Sequence, residues 1–134
     1  MSRSTTGTTD WSRTSTVLLE TRRRNGIWVP TPVSLVTEGS GPSFRAWFRT
    51  YDAAGKAKRL RNLPEVRVAP ATLRGRPLGP AVPARARLLD GLEAQHAREL
   101  LARRYPLLHG RLVPWVLRRK GWTTLHYELV LDES

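Results

Sequence analysis

Short runs of alternating apolar residues, most of them ended by turn residues, are the feature that most constrains the fold of this chain. In the segments 27–37 and 122–131 apolar residues recur at every second position over most of their length, as at Val29, Val33 and Leu35 and at Leu125, Tyr127, Leu129 and Leu131. A period of two is typical of strands with one buried face. The clearest long helical pattern is confined to Gly91–Tyr105, where apolar residues recur at core spacing. The sequence therefore predicts a mainly β domain with flanking helices.

The pattern predicts six strands in one domain, 16–134, after a disordered tail at 1–15 in which Trp11 is the one possible anchor. Short connections imply antiparallel pairing, and we expect a β-barrel, with a sandwich as the alternative. Asn25-Gly26 is expected to form a two-residue hairpin turn. The predicted strands are Thr16–Arg24, Ile27–Thr37, Ser43–Tyr51, Glu65–Leu73, Pro80–Asp90 and Trp122–Leu131, and the helical segments are Ala53–Leu63, Gly91–Tyr105 and Leu107–Gly121.

Charge and cysteine content narrow the class of protein. The formal net charge is +12, and the segment from Arg45 to Arg87 alone holds 11 Lys and Arg against two acids. A basic middle of this kind indicates an anionic partner. The chain has no cysteine, no signal-peptide pattern and no apolar run long enough to cross a membrane. We therefore expect a cytoplasmic protein that does not enter a membrane.

A basic turn, from Gly55 to Arg59, is the first candidate binding site. The predicted strand that ends at Tyr51 delivers Arg49 and Thr50 to this corner, Asp52 is placed to cap the next helix, and Gly55 permits close approach of a ligand. The first N–H groups of a helix lack internal partners and attract anions. Lys56, Lys58 and Arg59 oppose the helix dipole there, which makes better sense if a phosphate is their counterion. The alternative is a solvated cationic helix face.

Two prolines interrupt the second predicted strand. Pro30 and Pro32 lie on one face of it and Thr31 on the other. Because proline cannot donate to a ladder, the pair marks either a protected edge or a flat, donor-poor wall for a planar ring.

These segments together resemble a known family. The sequence resembles the pyridoxamine-5′-phosphate-oxidase-like split β-barrels, in particular the actinobacterial class that uses the deazaflavin coenzyme F420. The resemblance covers roughly Val17 to Leu131. The matching segments are Val29–Val33, Thr50–Arg61, Pro64–Pro70, Arg74–Pro80 and Ala84–Leu89.

The resemblance implies a six-stranded antiparallel, FMN-binding-like split barrel that forms a homodimer with cofactor sites in the interface. It further implies an oxidoreductase that transfers a hydride between reduced F420 and a small organic substrate. Two departures stand out: Ala54 replaces a serine that many relatives carry, and Ser34 a large aromatic. The residues implied to contact the cofactor are Pro30, Thr31, Pro32, Arg49, Thr50, Ala54, Gly55, Lys56, Lys58 and Arg59.

Other functions remain as alternatives. FMN carries a phosphate that the same turn could hold, and a non-catalytic cofactor-binding or haem-binding protein would share the fold. A nucleic-acid-binding barrel is the less favoured alternative, because the alternation leaves only Trp47 and Tyr51 for base stacking. We assign no catalytic residue and no metal ligand. His96, His109 and His126 are not at metal-ligand spacing.

Overall fold

The computed structural model describes residues 10–51, 55–106, 115, 119–121 and 123–131. The fold is mainly β, as predicted, but the described residues form seven strands where six were expected. The strands are β1 (Thr16–Arg22), β2 (Trp28–Ser34), β3 (Val36–Glu38), β4 (Arg45–Tyr51), β5 (Glu65–Pro70), β6 (Val82–Leu88) and β7 (Thr124–Leu131), and the helices with full bounds are α1 (Gly55–Asn62) and α2 (Gly91–Arg104).

All seven strands belong to one antiparallel sheet with the order β2-β1-β5-β6-β7-β4-β3. The two strands at the ends of this order, β2 and β3, are consecutive in the chain and separated only by Leu35. The sheet therefore curls round until its two ends meet, which gives it the form of a barrel.

The extra strand arises because the predicted strand Ile27–Thr37 is divided at Leu35. Before this residue the chain pairs with β1, and after it the chain pairs with β4. The Leu35 N–H still donates to the carbonyl of Ser15. The Tyr105 hydroxyl, at the end of α2, lies 2.9 Å from the Ser15 carbonyl oxygen and 2.7 Å from that of Leu35. The Tyr105 side chain, 70 residues away in the sequence, thus stabilises the backbone at Leu35, where the predicted strand is divided.

The prediction of a two-residue turn at Asn25-Gly26 was wrong, because the β1–β2 loop is longer. Arg23 N–H donates to the Ile27 carbonyl and Gly26 N–H to the Arg23 carbonyl, so the loop has three residues. Gly26 has φ +90°, whereas no non-glycine residue in the described part of the chain has positive φ. A two-residue type I′ turn would need positive φ at both central residues. The Asn25 side chain instead accepts a hydrogen bond from Ile27 N–H.

Two apolar clusters hold the fold together. The first fills the barrel and includes Val17, Leu19 and the stacked rings of Phe48 and Tyr127. It also includes Trp11, so residues 10–15, which the sequence analysis assigned to the tail, contribute to the fold. The second cluster packs α2 on the outer surface of the sheet through residues such as Trp47 and Leu101.

The two helices lie in different places. Leu60 of α1 belongs to the barrel core, so α1 closes one end of the barrel next to β1 and β4. α2 covers the outside of β7, β4 and β3. Asp52 and most of the predicted segment Leu107–Gly121 lie outside the described residues. Within the described residues, no helix combines the length and apolar character needed to span a membrane.

Candidate functional site

A seam in the barrel lies between β2 and the second half of β4. The ladder between β3 and β4 extends only to Val36 opposite Trp47. On the other side of Leu35 the chain turns to β1, and the rest of β4 pairs with β7. We call the gap between residues 30–33 of β2 and 48–51 of β4 the seam.

In Pro30 and Pro32 of β2 the backbone faces the seam. The rings of these prolines point to the outside of the barrel. The N–H of Leu35 points at β1, and so, by alternation, do those of Val33 and Thr31. The backbone of Pro30 and Pro32 therefore points to the opposite edge, where it offers carbonyl oxygens and no donor. The rings of both prolines are exposed. This arrangement protects the edge of β2 and also leaves a donor-poor wall along the seam.

Two buried hydroxyl groups lie on the inner face of the two strands that border the seam. Thr31 shares the inner face of β2 with Val33, and Thr50 shares that of β4 with Phe48. The Oγ1 atoms of both residues are buried and have no hydrogen-bond partner among the described residues. Thr50 is 6% exposed. A buried hydroxyl without a partner costs about 1–3 kcal/mol, so Thr50 holds a polar atom that a ligand could satisfy.

Helix α1 begins four residues after β4 ends, and its first turn is tightly packed. A Cβ added to Gly55 would lie 2.9 Å from Nη1 of Arg59. The Arg59 side chain folds back over Gly55, and its Nε donates a 2.6 Å hydrogen bond to Oγ1 of Thr21. Thr21 is fully buried on β1. Arg59 therefore ties α1 to β1 while its guanidinium stays beside the helix start.

The two lysines of α1 differ in their surroundings. Lys56 is half-buried, and burial, followed by repulsion from Arg59, lowers its pKa. Lys58 is exposed on the opposite side of the helix start. A partly desolvated cation beside the first N–H groups of a helix, which have no partner within the helix, forms an electropositive corner that favours an anion.

Arg49 does not share this corner with Thr50. Successive side chains of a strand point to opposite faces, and Arg49 lies on the face that α2 covers, opposite His126 of β7. Burial, with a smaller contribution from the positive charge of Arg98, lowers its pKa to about 10. His126 is buried beside it.

The predicted contact residues are divided between two faces of the sheet. Pro30, Thr31 and Pro32 on β2 and Thr50 on β4 border the seam, and α1 begins four residues after β4 and packs against β1 and β4. Arg49 lies on the other face, which α2 covers. Ala54 lies outside the described residues. Thr21 carries no signal in the sequence, because its role depends on a contact 38 residues away in the chain.

The other polar candidates lie away from the seam. His96 of α2 stacks edge-on against Trp47 and lies 3.1 Å from the carboxylate of Glu38. Trp47 is 1% exposed and so is not available for stacking with a base. Among the described residues, no group of three or more histidines and acids could hold a metal ion.

Comparison with solved structures identifies the fold. HutZ, the heme storage protein from Vibrio cholerae, aligns over 91% of this chain and 84% of its own, with a TM-score of 0.67 and 14% identity. A candidate 5-nitroimidazole antibiotic resistance protein from Bacteroides thetaiotaomicron aligns over 90% and 75%, with a TM-score of 0.59 and 10% identity. The chain therefore has the flavin-binding-like split-barrel fold.

A third structure, the protein Atu2129 from Agrobacterium tumefaciens, has a TM-score of 0.69 and 18% identity over 90% of this chain. The chain spans about half of that protein, 49% of its length. No protein-family model matches the sequence, and no curated protein matches it. The likeness at these identities is one of fold.

Proposed function

We propose that this chain is an oxidoreductase that binds coenzyme F420, with its phosphate at the seam end of α1, and works as a homodimer. The single observation that carries the proposal is the Thr50 hydroxyl, buried and without a partner among the described residues, where β4 leads towards the start of α1. A phosphate oxygen would satisfy this hydroxyl. The fold shared with flavin-binding-like split barrels supports the same assignment.

The residues around the seam fit a phosphate-bearing planar cofactor. Thr50 would donate its hydroxyl proton to the phosphate, the first N–H groups of α1 would point at it, and Lys56 would supply a positive charge. Burial makes that charge more effective, because water screens it less. The edge of β2 at Pro30 and Pro32 would lie along the ring system. The bound deazaflavin would supply the two-electron hydride chemistry.

The protein's own contribution would be to hold and orient the cofactor. Arg59 would act as a positioning residue, because its bond to Thr21 fixes α1 against β1. No described histidine lies at the seam to serve as an acid or base. The chain would then bind and orient the cofactor and exclude water from it. The substrate would be a small electron-poor organic molecule.

FMN and haem are the competing ligands. FMN presents the same phosphate to the same corner. Haem is favoured by the likeness to HutZ, a heme storage protein. The histidines of the described part do not favour it: His96 contacts Glu38, and His126 is buried beneath α2.

Titration of the purified protein with F420, FMN and hemin separates these ligands. We expect F420 to bind most tightly, as followed by its absorbance and fluorescence. If FMN binds with equal or greater affinity, the cofactor assigned to this site would be FMN and not F420. If only hemin binds, with a Soret band in its absorbance spectrum, the protein would be a haem protein. Substrate-dependent oxidation of reduced F420 would distinguish an enzyme from a carrier.

The variant Thr50→Val tests the site itself. Since the hydroxyl has no partner in the described chain, its loss should leave the protein as stable or raise the free energy of unfolding by about 1 kcal/mol. Loss of a bond to a charged phosphate should weaken cofactor binding about 10- to 150-fold. Thr37→Val on β3, away from the seam, is the matched control. Unchanged cofactor affinity in Thr50→Val would remove Thr50 from the site.

A further inference from the structure

A groove crosses the outside of the barrel away from α2. Its outward side chains form a row across five strands: Trp28 lies opposite Arg22, Glu65 opposite Arg85, and Arg85 opposite Val130. The pairing of β1 with β5 places Arg22 next to Glu65 in that row. The groove has a volume of about 600 Å³ and also includes Arg67. We call the set Arg22, Trp28, Glu65, Arg67 and Arg85 the basic groove.

Trp28 supplies the aromatic ring at one end of the basic groove. The guanidinium of Arg67 lies 4.2 Å from the centroid of its ring and that of Arg22 lies 5.4 Å away. Arg67 also pairs with Glu20 at 2.7 Å, so its planar group is fixed in place. The result is a cluster of flat cationic and aromatic groups that remains partly open to solvent.

The surroundings of the basic groove are strongly positive. The β1–β2 turn adds the exposed Arg23 and Arg24, and the 72–77 loop, which packs on Leu18 and Pro32, adds Arg74 and Arg76. In the groove itself Arg67 pairs with Glu20 and Arg85 lies 3.5 Å from Glu65, so the surplus positive charge comes from Arg22 and from the exposed arginines of the turn and the loop. The row spans four inter-strand spacings, roughly 19 Å, which is the length of several nucleotides.

We propose that the basic groove binds single-stranded nucleic acid. The arginines would contact phosphates, and bases would stack on Trp28 and on the guanidinium groups beside it. An acidic peptide would match the charge but would make no use of the aromatic stack. A second copy of this chain would bring the same positive charge to the face. The groove does not involve the seam, so this inference stands apart from the proposed cofactor site.

Fluorescence anisotropy with a labelled 20-nucleotide oligothymidine, measured on the full-length protein between 20 and 200 mM NaCl, tests the proposal. We expect salt-dependent binding that Trp28→Leu weakens about 5- to 150-fold, because a stacked base would lose its aromatic partner. The double variant Arg22→Gln/Arg85→Gln should lower the slope of log affinity against log salt by about 1.4. Arg13→Gln/Arg103→Gln removes the same charge from other exposed positions and should change the slope by less.

Four results would overturn the proposal. The first is no binding at 20 mM NaCl, and the second is equal losses in the groove variants and the control. The third is equal or tighter binding of a labelled polyglutamate peptide, which would make the partner an acidic protein. The fourth is a change of oligomeric state in the groove variants, measured by light scattering, which would make the face an interface between copies. A thermal unfolding curve for each variant, matching the parent protein, ensures that lost binding does not come from lost folding.

Discussion

At the scale of single residues, the hydroxyl groups of Thr21 and Thr50 have opposite roles although both are buried threonines on inner strand faces. Thr21 accepts a hydrogen bond from a charged guanidinium, whereas Thr50 has no partner in the described chain. Replacing the Thr21 hydroxyl by a methyl group should therefore lower the stability, whereas the same change at Thr50 should leave it unchanged or raise it.

We expect Thr21→Val to lower the free energy of unfolding by about 1.5–3 kcal/mol, the usual contribution of a hydrogen bond to a charged group. Arg59 would lose its partner, and α1 would be held less firmly against β1. Urea denaturation measures the difference directly. Thr50→Val in the same assay is the control, and a similar loss in both variants would mean that packing, not the Arg59 bond, determines the effect.

Single residues also show where sequence analysis reached its limit at the site. Alternation correctly separated Thr31 from the two prolines, because a strand fixes which face each side chain takes. The prediction that Arg49 and Thr50 reach the same corner was wrong, because neighbouring residues of β4 point to opposite faces. Alternation could not show that Arg59 folds back to Thr21, since that contact joins residues 38 apart and depends on how α1 docks. The sequence identifies a basic turn. Only the tertiary fold shows that Arg59 has a structural role in this turn, which leaves Lys56 as the charge for a ligand.

At the scale of secondary structure elements, the division between β2 and β3 decides how the barrel closes. The sequence predicts one continuous strand over 27–37, because its alternation continues through Leu35. The break comes from pairing with two different neighbours and from the Tyr105 hydroxyl, neither of which leaves a local signal. Most bounds of β1, β4 and α2 were predicted well because their patterns are local.

Tyr105→Phe tests this closure and carries a pH dependence. At pH 7 we expect the free energy of unfolding to fall by about 1–2 kcal/mol, since the carbonyls of Ser15 and Leu35 lose a shared donor. Burial raises the pKa of Tyr105 above its ordinary value of about 10. The folded state then holds this proton more tightly than the unfolded state, so the stability it provides is present below pH 10 and is lost as the pH rises further.

Urea denaturation at pH values from 7 to 11 should therefore show the parent protein and Tyr105→Phe converging at alkaline pH. Tyr127→Phe is the matched comparison, because burial also raises the pKa of Tyr127 but its ring stacks on Phe48 in the barrel core. A constant gap between the parent and Tyr105→Phe across this range would argue against the Tyr105 hydroxyl as the source.

At the scale of the whole molecule, charge is distributed in two ways. Around α2, Arg45 and Arg87 pair with Glu93 and Glu128, a network that joins three strands to the helix. Glu128 is nearly buried there, and its bonds to Arg45 hold its pKa below the ordinary range. The basic groove contains two ion pairs, Arg67–Glu20 and Arg85–Glu65, but the formal net charge of +12 means that many cations of the chain have no acid to balance them.

This imbalance predicts that salt stabilises the protein. Self-repulsion of a strongly charged chain disfavours the compact state, and 150 mM salt screens charges beyond about 8 Å while leaving close pairs such as Arg87–Glu128, at 2.7 Å, largely intact. We expect Tm to rise by a few degrees between 10 and 150 mM NaCl, equivalent to about 1 kcal/mol. A fall in Tm would mean that screening of the ion pairs dominates.

Phosphate at the same ionic strength separates general screening from binding at the seam. If an anion binds at the start of α1, phosphate should raise Tm further than chloride, by an amount that grows with its concentration. The additional rise should shrink in Thr50→Val, whose hydroxyl no longer donates, and persist in Thr37→Val. Equal Tm values in chloride and phosphate would show that the positive charge near α1 acts only through the field of the whole molecule and not as a site.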